Sequence, residues 1–232
     1  MGQFDDFFKK KGIPEKMNFL GKEYEINPEA MVYSKKGIDK YQQKDLSGAV
    51  IDFTMAIFAQ PSNQNLYIMR GTAYEDLGND TEAENDFQKV LELSPDEYIA
   101  AYRLGMVYFR KKDFENAIKW LMVSYKNAPD VELKYFGHGQ NNVFYISKKI
   151  IAGNLGNFLT QVKRYDEGFK YLDDAIKLDP AYPNPYISKG LALAQMGKLQ
   201  EGIEYLQKAE KLGAGQATIM IQTLKQHYDN IK

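Results

Sequence analysis

The 232-residue chain contains no cysteine, which excludes disulfides, thiolate catalysis and zinc sites built on sulfur. Histidine is almost as scarce. His138 and His227 are too few for a histidine-based metal cage. A net charge of −1 and a pI of about 6.2 give no global field that would favour nucleic acid. No run approaches the roughly 18–20 apolar residues of a membrane span. The first residues lack the apolar stretch of a secretory signal, and Met1-Gly2-Gln3-Phe4-Asp5-Asp6 lacks the hydroxyl residue of a myristoylation signal. There is no nucleophile–base pair, phosphate-cradling loop or basic stripe with interleaved aromatics. These absences lead to the expectation of a soluble, cytoplasmic, non-enzymatic protein with no cofactor or metal and neither nucleic acid nor membrane as partner.

What the chain does have is a period. Gly37, Gly71 and Gly105 are spaced by 34 residues, as are Ala49, Ala83 and Ala117, and Pro61, Pro95 and Pro129. Phe53, Phe87 and Leu121 recur in phase. A period of this length means stacked supersecondary units rather than one globular core. One unit reads as two antiparallel helices. In Tyr67 to Tyr74 the apolar residues follow i, i+4, i+7 spacing around Gly71, and Gly78-Asn79-Asp80 turns the chain. A second amphipathic run carries Ala83, Phe87, Val90, Leu91 and Leu93, and Ser94-Pro95 ends it. A helical glycine costs about 1 kcal/mol relative to alanine, so its recurrence in register implies a packing reason. The expectation is that Ala83 faces Gly71, small against small.

These residues resemble the tetratricopeptide repeat family, whose order of leucine-glycine, tyrosine, alanine, aromatic and proline is followed by Leu104-Gly105, Tyr108, Ala117, Leu121 and Pro129. The pattern resumes at Gly156 and Gly190, with Gly168 and Gly202 in the alanine slot, then Leu172 and Leu206, Ala175 and Ala209, and Pro180. The family's tryptophan slot holds Tyr33, Tyr67, Ala101, Ala152 and Tyr186, and Ala214 stands where the fifth unit would have proline. The resemblance implies an all-α fold, a right-handed superhelical solenoid of antiparallel helix pairs. Five repeats are expected at 30–63, 64–97, 98–131, 149–182 and 183–216, with an insertion at 132–148. Residues 1–29 are expected to cap the first repeat and 217–232 to form a closing helix.

Outside the repeats, Phe4, Phe7 and Phe8 form an i, i+3, i+4 stripe followed by Lys9, Lys10 and Lys11, which suggests a short amphipathic helix. Phe19, Leu20, Tyr24 and Ile26 supply a second apolar cluster. Asn27-Pro28 and Asn184-Pro185 read as helix starts, asparagine as cap and proline as first helical residue. In the insertion, Gly137-His138-Gly139 reads as a loop, with His138 assigned no chemical role. Asn141-Asn142 is a candidate cap for an unusually long helix running to Val162. Met220, Leu224 and Tyr228 mark the apolar side of the closing helix. Nine acidic residues and one lysine lie between Glu75 and Glu97, and this run reads as a solvated face.

In the family the resemblance points to, the first helices of successive units line a concave groove that holds a peptide or helix of a partner. The inward slots fall on Met31, Ser34, Ile38, Tyr41 and Gln42, on Asn65, Ile68, Thr72, Glu75 and Asp76, and on Ile99, Tyr102, Met106, Phe109 and Arg110. Asn157, Thr160 and Gln161 follow, then Ile187, Leu191 and Ala194. Ile99, Tyr102, Met106 and Phe109 form an apolar, aromatic stripe of the kind enriched at interface cores. The slots by which co-chaperone members grip a C-terminal carboxylate hold Ser34, Ile38, Met69, Ile99 and Arg103, and only the arginine matches. A carboxylate needs several converging donors, which argues against that ligand. The implied function is a protein interaction module or scaffold with a partner-binding groove. The alternative is a self-associating scaffold, or an autoinhibited adaptor, in which residues 1–12 place the phenylalanine stripe in a groove.

Overall fold

A computed structural model describes residues 16–19, 22–25, 27–130 and 146–229. The chain divides into two compact units, Met1–Val107 and Tyr108–Lys232. Apart from one short hairpin, the regular structure of the described residues is helical, in antiparallel pairs.

The first unit opens on that hairpin. Strand β1 (Lys16–Phe19) pairs antiparallel with β2 (Lys22–Glu25), Lys16 opposite Glu25. The side chains of the apolar cluster expected at Phe19, Leu20, Tyr24 and Ile26 lie outside the described residues, and the strands are an addition to the sequence reading. The alternation in Lys16-Met17-Asn18-Phe19 is the period-2 signal that announces them. Helices α1 (Pro28–Gln42) and α2 (Leu46–Ala59) form the first pair, α3 (Gln64–Asp76) and α4 (Asp80–Leu93) the second. Helix α5 (Tyr98–Arg110) crosses the boundary between units. The expected start at Asn27-Pro28 is present: the Asn27 side chain accepts from the Ala30 amide at 3.0 Å, and Pro28 opens the helix. The same side chain donates from Nδ2 to the Ala59 carbonyl at 2.9 Å, tying the start of α1 to the end of α2.

Glycine turns out to make room for a ring in this unit. A methyl at Gly71 would come within 2.8 Å of Phe87 Cε1, and one at Gly37 within 2.6 Å of the Phe53 ring. The expected Gly71–Ala83 contact is therefore corrected. The neighbour is the aromatic sixteen residues on, and both rings are wholly buried.

The second unit contains α6 (Phe114–Asn127), α7 (Lys148–Gln161), α8 (Tyr165–Leu178), α9 (Asn184–Gln195), α10 (Leu199–Lys211) and α11 (Gly215–Asp229). Here small does meet small. A methyl at Gly156 would lie 2.8 Å from the Gly168 carbonyl, and one at Gly202 would lie 2.6 Å from the Gly190 carbonyl. With glycine on both helices the backbones close up, and the buried Leu172 and Leu206 replace the phenylalanines.

Two sequence expectations for helix starts fail in this unit. Helix α7 has 14 residues and begins at Lys148, because Ser147 is extended at φ −79°, ψ 150°; it is not the long helix starting at Asn141-Asn142. Helix α9 begins at Asn184 itself, and the Asn184 side chain donates to the Tyr182 hydroxyl instead of capping. The closing helix α11 buries Ala217 and Ile221 against Ile187, Ile203, Leu206 and Ala209, with Met220 and Leu224 at the margin. The stripe at Phe4–Phe8 and the loop around His138 lie outside the described residues.

Candidate functional site

Within the first unit, side chains at the inward slots of α1, α3 and α5 are joined by polar ties. The Tyr41 hydroxyl on α1 donates to Asp76 at the end of α3. Burial, reinforced by that carboxylate, pushes the Tyr41 phenol above its ordinary value. On the other side of α3, Glu75 accepts from Arg103 of α5 at 2.9 Å. Two neighbouring acidic residues of α3 therefore reach opposite ways, one to each flanking first helix. This is why part of the acidic run is not a solvated face. Asp86 is a third member taken inside, held bidentately by Arg70 at 2.9 and 2.7 Å. Burial pushes the Asp86 carboxyl up by more than Arg70 pulls it down.

Beside these ties, Ile99, Tyr102 and Met106 lie half-buried at i, i+3, i+7 along α5. Arg103 stands among them on the same helix. Glu75, with Arg103, borders an apolar stripe of three side chains that keep part of their surface in solvent. Met31, Gln42 and Asn65 are exposed, and Ser34 and Ile38 are half-buried.

Not every inward slot reaches the surface. Thr72 has 0% of its surface exposed and donates its hydroxyl to the Ile68 carbonyl at 2.7 Å. Ile68 is 4% exposed and Tyr41 is buried. Helix α3 packs against both α2 and α4, so its central turns are enclosed. Tyr41, Ile68 and Thr72 therefore present little or no surface to a ligand in this structure.

In the second unit, Phe109 stacks on the buried ring of Phe158, centroids 3.8 Å apart and planes 4° from parallel, and meets Phe114 edge-on at 5.7 Å. One face of Phe109 is thereby committed to the Phe158 ring. Arg110 and Gln161 are exposed, Asn157, Leu191 and Ala194 are half-buried, and Thr160 and Ile187 are buried. Tyr125 of α6 donates to Asp174 of α8 at 2.9 Å under the Lys148 ammonium, and burial and that carboxylate push its phenol up to about 12.

Sequence reasoning missed the ties because it read charges by runs. The pair Arg70–Asp86 repeats the sixteen-residue offset of Gly71–Phe87, and that offset was the available signal. Among the described residues no three His, Asp or Glu side chains are placed to hold a metal ion, and no helix is long and apolar enough to cross a membrane. Arg103, the one match to a carboxylate-gripping slot, already has Glu75 as its carboxylate.

Profiles of the tetratricopeptide repeat match residues 68–132, 151–182 and 183–212, together more than half of the chain. Among curated relatives, the Cell division cycle protein 16 homolog of Homo sapiens is 26% identical over 144 residues, 62% of this chain and 22% of that protein. The Mitochondrial import receptor subunit TOM70 of Homo sapiens is 24% identical over 189 residues, 81% of this chain and 29% of that protein. The Type IV pilus assembly protein PilF of Pseudomonas aeruginosa is 26% identical over 162 residues, 68% of this chain and 57% of that protein. The chain thus spans less than three-fifths of each of these relatives.

Solved structures share the fold. MamA from Desulfovibrio magneticus superposes with a TM-score of 0.68 at 19% identity, over 81% of this chain and 97% of that one. YrrB, described as a TPR protein with an unusual peptide-binding site, gives 0.66 at 15% identity, over 95% and 98%. The helix-pair period, the glycine-centred packing and these matches agree: the chain belongs to the tetratricopeptide repeat family, with the all-α solenoid fold of that family.

Proposed function

We propose that the chain is a non-enzymatic interaction module that takes an extended or helical segment of a partner protein on the first-helix side of its first unit. The observation that carries this reading is the half-exposed stripe of Ile99, Tyr102 and Met106 beside the Glu75–Arg103 tie. A core stripe would be sealed. This one keeps apolar and aromatic surface in solvent beside fixed charges, and partly exposed aromatics and methionine are what interface cores use. The second stripe of α5, with Leu104 and Val107, is fully buried, so the helix has its core face elsewhere. Relatives named as an import receptor subunit and a pilus assembly protein, and a fold neighbour described by its peptide-binding site, support a binding role.

The test is affinity capture from cells of the protein's own source, comparing the wild-type chain with a Tyr102→Ala/Met106→Ala variant. The variant is expected to lose the captured proteins while its melting temperature stays within about 5 °C of wild type. Recovery of the same proteins by both would show that the stripe is not the binding surface.

A further inference from the structure

The outer side of α2 carries an apolar stripe left exposed among the described residues. Ile51, Met55 and Phe58 are 62%, 40% and 84% exposed. At i, i+4, i+7 they form one line over two turns, about 10 Å long. Asp52 is the only charged residue of α2, and it is buried against Lys40 at 2.7 Å. The exposed Leu77, Leu93, Leu178 and Leu212 stand singly at helix ends, which is ordinary. A continuous stripe on a helix face is not.

The chain's own course says what lies within reach. The Asn27 side chain is bonded to the Ala59 carbonyl, one residue beyond Phe58. The hairpin then returns Lys16 to a position opposite Glu25, two residues before Asn27. Chain connectivity therefore keeps Lys16, the first described residue, near the Ala59 carbonyl at the Phe58 end of the stripe. Phe8 and Lys16 are eight residue steps apart, a span of up to about 26 Å, more than twice the length of the stripe. Phe4, Phe7 and Phe8 have the spacing of a single helix face, bounded by Gly12 and Pro14.

We propose that residues 1–12 dock through Phe4, Phe7 and Phe8 onto the Ile51–Met55–Phe58 stripe of the same chain. The choice of the same chain over a second copy follows from the tether. A short flexible link holds the segment at an effective concentration on the order of millimolar, well above that of free copies. Three phenylalanines form a contact too small to hold two molecules together at micromolar concentration, yet sufficient when tethered. This surface is separate from the α5 stripe, and its occupancy leaves that stripe open.

Because the chain lacks cysteine, two introduced thiols report on one contact. Gln3→Cys is combined in the full chain with Ser62→Cys, past the Phe58 end, or with Ser47→Cys, before the Ile51 end. Both serines are exposed. A short bismaleimide linker is expected to give an internally cross-linked product of monomer mass in one of the two pairs. Adding Ile51→Asp and Phe58→Asp, both at exposed positions, should cut that product roughly tenfold with helicity by circular dichroism unchanged. Failure of both pairs to cross-link would overturn the proposal. So would a product of dimer mass, which would put a second copy on the stripe, or a yield indifferent to the two aspartates.

Discussion

The Glu75–Arg103 tie is a suitable place to measure what holds neighbouring first helices together. The side chains are 12% and 14% exposed, with nitrogen and oxygen 2.9 Å apart. Fully buried pairs lose about 3–5 kcal/mol when one partner is removed, because the other charge stays in a poorly solvated site. Some water reaches both groups here, which lowers the expectation to about 2 kcal/mol for Arg103→Met or Glu75→Met alone. Removing both takes away the charge that either single change leaves facing its lost partner, and puts two flexible apolar side chains side by side. The double variant should lie within about 1 kcal/mol of wild type. The coupling between the sites is then about 3 kcal/mol and opposite in sign to the single losses. Urea denaturation followed at 222 nm supplies the four stabilities, with the slope checked for constancy because repeat arrays can unfold in stages. Additive losses would refute the reasoning, and so would an Arg103→Met chain as stable as wild type.

Two further outcomes follow from the second unit. Gly190→Ala would set a methyl 2.8 Å from the Gly202 carbonyl and 2.9 Å from Leu206 Cγ. Forcing the backbones apart should outweigh the gain of about 1 kcal/mol in helix propensity and lower stability by about 1–2 kcal/mol in urea titration, whereas a stabilised variant would contradict the packing argument. Tyr125, whose phenol is held up at about 12, stays protonated in the folded chain while an unfolded tyrosine ionises near its usual value of about 10. The unfolded state then binds fewer protons, so this residue's share of stability falls as pH rises from about 10 to about 12. The stability difference between wild type and Tyr125→Phe should therefore shrink across that window; a constant difference would disprove the assignment.

The architecture was legible because the period is written in residues that only packing explains. Gly37, Gly71, Gly156 and Gly190 each sit where a methyl would collide with the following helix. Less legible was what they collide with, since the sequence does not say whether a missing side chain admits a ring or a backbone. Turns were half visible. Gly78 and Gly197 adopt φ of 79° and 80° between the helices of a pair, but the equivalent places elsewhere hold Lys44, Lys112 and Lys163 at φ of 66°, 61° and 63°. Lysine carries no turn signal, so only the period locates those turns. At the candidate site, Ile99, Tyr102 and Met106 keep part of their surface in solvent, while Ile68 and Thr72 come from the same slots and are sealed. Slot position gives the direction of a side chain, but the enclosure of α3 between α2 and α4 decides whether anything can reach it.

The polar ties also constrain the kind of recognition the first unit can perform. Asp76 is engaged by Tyr41, Glu75 by Arg103 and Asp86 by Arg70. A ligand charge directed at any of these groups would have to displace a partner already in place, and it would gain only the difference between two similar bonds. Each square ångström of apolar area that Ile99, Tyr102 and Met106 lose to a partner contributes about 25 cal/mol. In the proposed reading, the charges fix the geometry of the face and select against unsuitable partners, while the apolar stripe supplies the affinity. Recognition built this way depends more on the shape of an apolar segment than on its charge, and its strength should vary little with salt.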